Sequence, residues 1–181
     1  MAARNRLPPW HEHLRLANGR ELLIRPIRAD DAKPLAASFA LLQPEEIRQR
    51  FLYAIKELSP DMLRRLTQPK AKTEFALVAA EPLPPGEALI GAVARASMSE
   101  GASEAEFAIL VSRYVAGMGL GRHLMRRLVR WARGKKLERL YGDVLDNNQP
   151  MLALAQSLGF RREHSGSPGL IRVVLDLPRK A

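Results

Sequence analysis

A glycine-rich turn between two regular elements constrains the fold of this chain more than any other feature. Gly117, Gly119 and Gly121 stand between an apolar run over 104–111 and a stretch whose apolar residues recur at helical spacing. The pattern predicts a strand over 104–111 and a helix over 121–133. Alternate glycines let the backbone approach a ligand closely, and the helix N-terminus adds partial positive charge. The turn therefore predicts a pyrophosphate site, although a tight strand-to-helix turn without a ligand has the same spacing.

Two familiar phosphate-binding loops do not fit this turn. The Walker loop ends in Gly-Lys-Ser/Thr, whereas Gly121 is followed by Arg122 and His123. The dinucleotide fingerprint spaces its glycines as G-x-G-x-x-G near the start of a Rossmann unit. Here the spacing is G-x-G-x-G and the turn lies late in the chain. The sequence therefore indicates a different class of phosphate site.

The order of the predicted elements indicates an α/β domain. Leu14 and Leu16, then Leu22 and Ile24, alternate with polar residues around Asn18-Gly19, which predicts a hairpin whose two turn residues both take positive φ. Three helices are predicted in the first half, from Asp30-Asp31 to Leu42, over 44–53, and from the N-cap Ser59 onward. Two more are predicted in the second half, over 121–133 with Gly134 as the C′ residue, and over 149–158. Further predicted strands cover 74–80, 88–97, 104–111, 140–145, 160–162 and 170–177. The second half alternates β-α-β-α-β, which is typical of α/β domains.

The composition is that of one globular domain. A chain of 181 residues can bury a sizeable core, and the lack of cysteine excludes disulfides, thiolate metal ligands and a cysteine nucleophile. The N-terminus has no apolar signal core, and the longest apolar runs are too short to span a bilayer. We expect one cytoplasmic domain over 1–181, with 1–13 as a flexible arm and with no membrane partner. The oligomeric state stays open, a dimer included.

The chain is strongly basic, with 29 Lys and Arg against 19 Asp and Glu and a formal net charge of +10. Such a surface attracts nucleic acid, acidic proteins or a phosphate-bearing cofactor. The chain lacks helix-turn-helix spacing, zinc ligands and an aromatic RNA platform, so we expect no specific nucleic-acid partner. His11, His13 and His164 do not have the spacing of metal ligands, and we expect no metal.

Three segments resemble known enzymes. Ala105–Val111, Gly117–Gly121 and Leu124-Met125 are similar to the acetyl-CoA site of the Gcn5-related N-acetyltransferase (GNAT) family, whose signature is Q/R-x-x-G-x-G/A. The stretch from Asn147-Asn148 to Leu158-Gly159-Phe160 is similar to a second block of that family. The resemblance implies a mixed, mostly antiparallel central sheet with helices on both faces, splayed at the acetyl-CoA site.

The first half of the chain narrows this resemblance. Ile24–Arg28, followed by Asp30-Asp31, and the segment Glu45–Tyr53 look most like the acetyltransferase domain of bacterial protein lysine acetyltransferases. The resemblance implies transfer of an acetyl group from acetyl-CoA to a primary amine, with a protein lysine as the acceptor.

The chain departs from the family pattern at two positions. The Gln/Arg of the signature is Ala116 here, so one side-chain contact to the cofactor is lost while the backbone amide is kept. The tyrosine that often serves the family as general acid is replaced by Ala155. Protonation of the leaving thiolate must then come from water or another side chain. Tyr114 and Tyr141 are candidates, and both also suit a buried packing role.

Glu106 is the candidate general base. Acyl transfer needs a neutral amine, whereas a lysine with a pKa of about 10.4 is mostly protonated at neutral pH. Glu106 stands in an otherwise apolar strand that leads into the glycine turn, and we expect burial there to desolvate its carboxylate and strengthen it as a base. The resemblance places the family's catalytic glutamate at this position. An exposed carboxylate with no catalytic role is the alternative, and Glu104 or Asp143 could act through a water.

The cofactor contacts are predicted from the turn and from the resemblance. The backbone N–H near Leu110 is implied as the oxyanion donor. Asn148 suits a helix cap and, by resemblance, a contact to the pantetheine arm. Arg122 and Arg126 lie close enough to the turn to reach phosphates, while the rest of the arginine stripe suits a solvated face. The predicted cofactor-binding residues are Leu110, Val111, Gly117, Met118, Gly119, Leu120, Gly121, Arg122 and Asn148.

Other functions remain open from the sequence alone. A small-molecule amine acetyltransferase would carry the same motifs, because the cofactor site does not specify the acceptor. A non-catalytic acyl-CoA-binding sensor would also keep the glycine turn. Turnover distinguishes the enzyme from the sensor, and the acceptor has to be identified by its product.

Overall fold

The computed structural model describes residues 8–51, 57–112 and 115–178. The strands are β1 Glu12–Arg15, β2 Glu21–Pro26, β3 Glu74–Ala80, β4 Ile90–Ser97, β5 Glu104–Val111, β6 Arg139–Leu145, β7 Arg161–His164 and β8 Leu170–Asp176. The α-helices are α1 Ala32–Ala40, α2 Pro44–Phe51, α3 Pro60–Thr67, α4 Leu120–Gly134 and α5 Gln149–Ser157, and a 3₁₀ turn over Ala29–Asp31 precedes α1. These elements confirm the predicted α/β class.

The eight strands form one sheet in the order β1-β2-β3-β4-β5-β6-β8-β7. The pairing of β5 with β6 is parallel, and the neighbouring pairs on both sides of it are antiparallel. The predicted mixed, mostly antiparallel sheet is confirmed. A sheet of this kind can separate at its parallel junction, because a continuous crossover connects these two strands and no hairpin turn ties them together.

Both faces of the sheet are covered, as β3 shows. Phe75, Leu77 and Ala79 contribute to the core cluster that contains the buried face of α4, whereas Ala76, Val78 and Ala80 belong to a second cluster with residues of α1 and α3. Alternation along a strand sends successive side chains to opposite faces. The continuous apolar run of β3 therefore follows from burial on both sides.

The predicted hairpin of β1 and β2 is confirmed, but its turn differs from the prediction. Arg15 pairs with Glu21, and the intervening loop is closed by a bond from Gly19 N–H to the Leu16 carbonyl, 2.9 Å. Gly19 has φ of 84°, whereas Asn18 does not take positive φ. The longer loop explains the difference, because a single left-handed residue after a turn suffices when the loop exceeds two residues. The Asn18 side chain instead accepts a hydrogen bond from the Arg20 amide.

Several predicted element ends shift. The strand predicted from residue 88 begins at Ile90, and the end of α2 predicted at Tyr53 lies outside the described residues. Gly134 is the last residue of α4, and Lys136 takes the left-handed conformation with φ of 59°. The prediction of Gly134 as the C′ residue is therefore wrong. Ser59 caps α3 as predicted, since its hydroxyl accepts from the Met62 amide at 3.1 Å.

The expected flexible arm over 1–13 is too long. Trp10 packs on Phe75 with ring centroids 4.7 Å apart, and Glu12 already belongs to β1. On its other side Phe75 stacks with Trp131 of α4 at 5.6 Å. Trp10 is thus packed on the core and the strand begins at residue 12, while 1–7 lie outside the described part of the chain. None of the described helices is long and apolar enough to cross a bilayer.

Candidate active site

The parallel pairing of β5 and β6 covers only the start of each strand. It runs from the pair of Glu104 and Arg139 to the pair of Glu106 and Tyr141, after which the strands separate. The separation opens a cleft of about 750 Å³. Its lining includes Glu46, Gln49 and Arg50 of α2, the stretch Glu106–Val111 of β5, Ala116, Gly117, Gly119, Gly121 and Arg122 of the turn, Asp143 and Val144 of β6, and Asn148, Pro150, Met151 and Leu154 around α5. The cleft is the predicted splay.

The glycine turn forms one wall of this cleft. Gly117 and Gly119 both take positive φ, 77° and 81°, a conformation that favours glycine. Around both glycines the space that a Cβ would occupy is open, while a Cβ on Gly121 would contact Leu154 at 3.4 Å. α4 begins directly after Gly119, and its first turn carries no acidic residue. Open space, glycine backbone and a helix N-terminus together fit a pyrophosphate.

Two residues of the predicted cofactor set have side chains that face elsewhere. Leu120 is fully buried in the core, and Met118 packs against the same core from a half-buried position. Only the backbone of these two residues is left to contact a ligand, because their side chains are committed to packing. The predicted cofactor contacts of these two residues are therefore limited to their backbone atoms.

The direction of the amides on β5 narrows the choice of oxyanion donor predicted near Leu110. Ser112 N–H donates to the Gly91 carbonyl at 2.8 Å, and this pair continues the antiparallel register in which Leu110 is opposite Val93. Backbone groups alternate in direction along a strand, so the Leu110 amide also points to β4. The amides of Ile109 and Val111 point to the opposite side, where β6 has separated. The donor predicted near Leu110 is therefore not the Leu110 amide itself, although Leu110 lines the cleft, and the amides of Ile109 and Val111 on either side of it are the candidates.

Glu106 lies in the cleft, but its setting differs from the prediction. Its side chain is exposed, so the expected desolvation of this carboxylate by burial in the strand is wrong. The apolar composition of β5 does not predict whether Glu106 itself is buried, because successive residues of a strand face opposite sides of the sheet. Asp143 lines the same part of the cleft and pairs with Arg172, with Arg172 Nε to Asp143 Oδ1 at 3.0 Å. The bond to Asp143 raises the pKa of Arg172.

Tyr141 is directly opposite Glu106 in the pairing of β5 and β6. The Arg172 guanidinium lies 4.6 Å from the centre of its ring. Partial burial, followed by the charge of Glu106, raises the pKa of Tyr141, so this side chain carries its proton at neutral pH. Tyr114, the other candidate acid, lies outside the described residues. Ala155 is fully buried in the core, so its position offers no proton donor to the cleft.

Asn148 caps α5 and lines the cleft at the same time. Its Oδ1 accepts from the Met151 amide at 3.4 Å, and Pro150 follows within the first helical turn. The predicted cap is confirmed. The cap uses only the oxygen of the side-chain amide, so a contact to pantetheine stays a compatible prediction.

Arg122 is the arginine of the α4 stripe that lines the cleft, and its guanidinium Nη2 donates to Ser157 Oγ at 2.7 Å. Arg130 and Arg133 of the same stripe are exposed, as predicted for a solvated face. Arg126, which was predicted to reach the phosphates, is also exposed and is not among the residues that line the cleft. His123, in the first turn of the same helix, is half-buried and contacts Glu12 Oε2 at 2.8 Å.

Sequence reasoning missed several residues of the site. Ser157 is separated from Arg122 by 35 positions, and no local pattern joins them. The residues of α2 that line the cleft are Glu46, Gln49 and Arg50. Their sequence pattern is that of an ordinary polar helix and does not indicate a binding site. Among the described residues no group of three His, Cys, Asp or Glu could hold a metal ion.

Comparison with known proteins agrees with this geometry. Residues 21–161 match the model of the acetyltransferase (GNAT) domain. The chain is 31% identical over 151 residues to acetyltransferase PA5475 of Pseudomonas aeruginosa, which covers 83% of this chain and 80% of that protein. The GNAT domain of S. lividans PAT superposes with a TM-score of 0.83 at 25% identity, covering 95% of this chain and all of that one.

A more distant structure shares the fold. The cAMP-binding acyltransferase from Mycobacterium smegmatis has a TM-score of 0.62 at 22% identity, and the match covers 93% of this chain but 48% of that one. GNAT enzymes use acetyl-CoA as the acyl donor and bind an amine acceptor. The match of the family model over 21–161, together with the Pseudomonas relative, shows that this chain belongs to the GNAT acetyltransferase family.

Proposed function

We propose that this protein transfers an acetyl group from acetyl-CoA to a primary amine, with a protein lysine as the acceptor. The observation that carries the proposal is the cleft between β5 and β6, which has the glycine turn at one end and Glu106 at the other. The glycine turn takes the pyrophosphate, and the separated strands take the pantetheine arm. Asn148 and Arg122 border the same path.

The thioester carbonyl is placed beside the amides of Ile109 and Val111. These groups point into the cleft and have lost β6 as a partner, so they can stabilise negative charge on the carbonyl oxygen. Ile109 is three residues beyond Glu106, about 10 Å along a strand. That interval leaves room for the amine and a bridging water.

Starting from the ammonium form, two protons must leave the nitrogen and one must reach the thiolate. Glu106 accepts the first proton, directly or through water, and the neutral nitrogen attacks the carbonyl carbon. The new C–N bond forms as the C–S bond breaks, the nitrogen gives up its second proton to solvent, and the CoA thiolate takes a proton from water or from Tyr141. Glu106 and Tyr141 then return to their starting forms by exchange with solvent, so that one proton is released in total. The products are an amide and free CoA.

The protein-lysine acceptor is supported by the first half of the chain. Ile24–Arg28 and the segment around α2 resemble bacterial protein lysine acetyltransferases, and the GNAT domain of S. lividans PAT superposes over nearly the whole chain. Incubation with acetyl-CoA and a cell lysate should yield a limited set of acetylated lysines, detected by mass spectrometry. Turnover of small amines alone would favour the small-molecule acetyltransferase, the second candidate.

The cofactor site is tested by Gly119→Val with Gly101→Val as the matched control. Both glycines have positive φ, 81° and 75°, and both have open space around a Cβ, so the backbone strain should be similar. Gly101 lies in the turn between β4 and β5, whereas Gly119 lines the cleft. By calorimetric titration, Gly119→Val should lose acetyl-CoA binding while Gly101→Val keeps it. Equal affinities in both variants would contradict the assignment.

A further inference from the structure

A second, smaller cavity of about 60 Å³ lies on the sheet face that α1 and α3 cover. Its lining is mostly apolar and comprises Ile27, Leu35, Ser38, Phe39, Leu42, Arg50, Leu58, Leu66, Ile90, Gly91, Ala92, Val93, Leu110 and Ser112. Apolar walls of this kind exclude ions and favour hydrocarbon. The proposed transfer of an acetyl group makes no use of this space.

The cavity adjoins the active-site cleft. Leu110 of β5 and Arg50 of α2 line both spaces. Val93 is the cross-strand partner of Leu110, so these two side chains stand side by side on the cavity face. The cavity therefore begins next to Ile109 and Val111, whose amides face the proposed thioester position. Its lining includes residues of β4, α1 and α3 and none of β6, so it extends from Leu110 away from β6.

We propose that this cavity receives the terminal carbons of an acyl group longer than acetyl, so that the enzyme uses short straight-chain acyl-CoA donors. The proposal rests on the proposed acyl-CoA site in the cleft. A chain that starts at the thioester has only to pass Leu110 to enter the cavity. The acceptor approaches from the Glu106 end, so chain and acceptor do not compete for the same space.

The size of the cavity sets the chain length. One water-sized group needs roughly 10–15 Å³ of such volume, so 60 Å³ holds roughly four. A butyryl group adds two carbons to acetyl and fits this space. An octanoyl group adds six carbons and exceeds it.

Calorimetric titration of the unmodified protein with CoA, acetyl-CoA, butyryl-CoA and octanoyl-CoA tests the proposal. Butyryl-CoA should bind roughly 15-fold more tightly than acetyl-CoA, because two methylenes leave water. Octanoyl-CoA should bind more weakly than butyryl-CoA. If acetyl-CoA binds and butyryl-CoA binds no better, the cavity proposal is overturned while the acetyl-CoA site stands. If no CoA compound binds, both proposals are overturned.

Two variants of Val93 test whether the acyl chain binds in this cavity. Val93 is half-buried and lines the cavity but not the cleft, so its size changes the cavity alone. Val93→Phe should lower the ratio of butyryl- to acetyl-CoA affinity by at least threefold. Val93→Ala should raise the affinity for hexanoyl-CoA relative to butyryl-CoA. Thermal melting checks that both variants are folded, and unchanged ratios in two folded variants would place the acyl chain elsewhere and overturn the proposal.

Discussion

Glu106 is directly opposite Tyr141, at the last matched pair before β5 and β6 separate. The carboxylate contributes to the raised pKa of the phenol, although partial burial contributes more. This pair therefore marks the position where the parallel pairing ends and the cleft begins. In the proposed mechanism, this pair supplies a proton acceptor and a proton donor at the end of the cleft where the amine binds.

The raised pKa of Tyr141 predicts how stability depends on pH. A tyrosine whose folded pKa lies above its unfolded value favours folding while it is protonated, and this contribution is lost as pH rises through the folded pKa. Above about pH 10, the ordinary tyrosine pKa, the free energy of unfolding should fall more steeply in the wild type than in Tyr141→Phe. Urea denaturation at pH 8 to 11 measures this difference. Parallel curves for the two proteins would rule out the shift.

A buried ion pair anchors the start of α1. Arg25 Nη1 and Nη2 contact Asp31 Oδ2 and Oδ1 at 2.8 Å each, and Asp31 is fully buried. Asp31→Asn should destabilise the fold by about 3–5 kcal/mol, because it leaves the Arg25 charge buried without its partner. The exposed neighbour gives the control, and Asp30→Asn should change the free energy of unfolding by less than about 1 kcal/mol. Urea denaturation of both variants decides, and equal effects would argue against a special role for Asp31.

Asp31 also shows where sequence reasoning stops. An aspartate before a helix predicts an interaction with the helix dipole, and that pattern is the same whether the side chain is exposed or buried. The partner, Arg25, lies on β2, and nothing in its local sequence marks it as buried. The same limit explains Ser157, whose contact with Arg122 joins the ends of two helices.

The order of elements was predictable because each depends on local periodicity. The strand and helix patterns over β3, β5 and α4 can be recognised without knowing which elements pack against them. The direction of the Leu110 amide was not predictable, because it depends on which residue of β4 lies opposite. The exposure of Glu106 was unpredictable for a similar reason, because it depends on which elements cover the face of β5 that Glu104 and Glu106 share.

The role of Arg122 is tested against Arg133. Arg122 lines the cleft, while Arg133 is exposed in the last turn of the same helix. Arg122→Ala should weaken CoA binding by about 1–3 kcal/mol through loss of a charge-assisted hydrogen bond. Arg133→Ala should leave the affinity nearly unchanged. Titration with CoA at physiological salt compares the two variants. Similar losses of affinity would indicate that the basic surface attracts CoA as a whole, without a specific contact from Arg122.

The Glu106→Gln variant tests the mechanism, because it keeps the shape of the side chain but cannot accept a proton near neutral pH. Cofactor affinity should stay nearly unchanged, since Glu106 acts on the amine. Turnover at pH 7 should fall by roughly 10²–10⁴, the usual contribution of a general base. The loss should shrink as pH rises toward the amine pKa of about 10.4, where free amine forms without help.

Glu104→Gln provides the matched control for the base. Glu104 is exposed, two residues earlier on the same face of β5, and pairs with Arg139 where the ladder is still closed. Its loss should therefore affect turnover little. Steady-state rates of the two variants from pH 6 to 10 distinguish the possibilities. A sensor would bind acetyl-CoA without turnover in the wild type. Wild-type turnover that survives in Glu106→Gln but falls in Glu104→Gln would move the base to Glu104, and survival in both would direct the search to Asp143, whose carboxylate lines the same cleft beside Arg172.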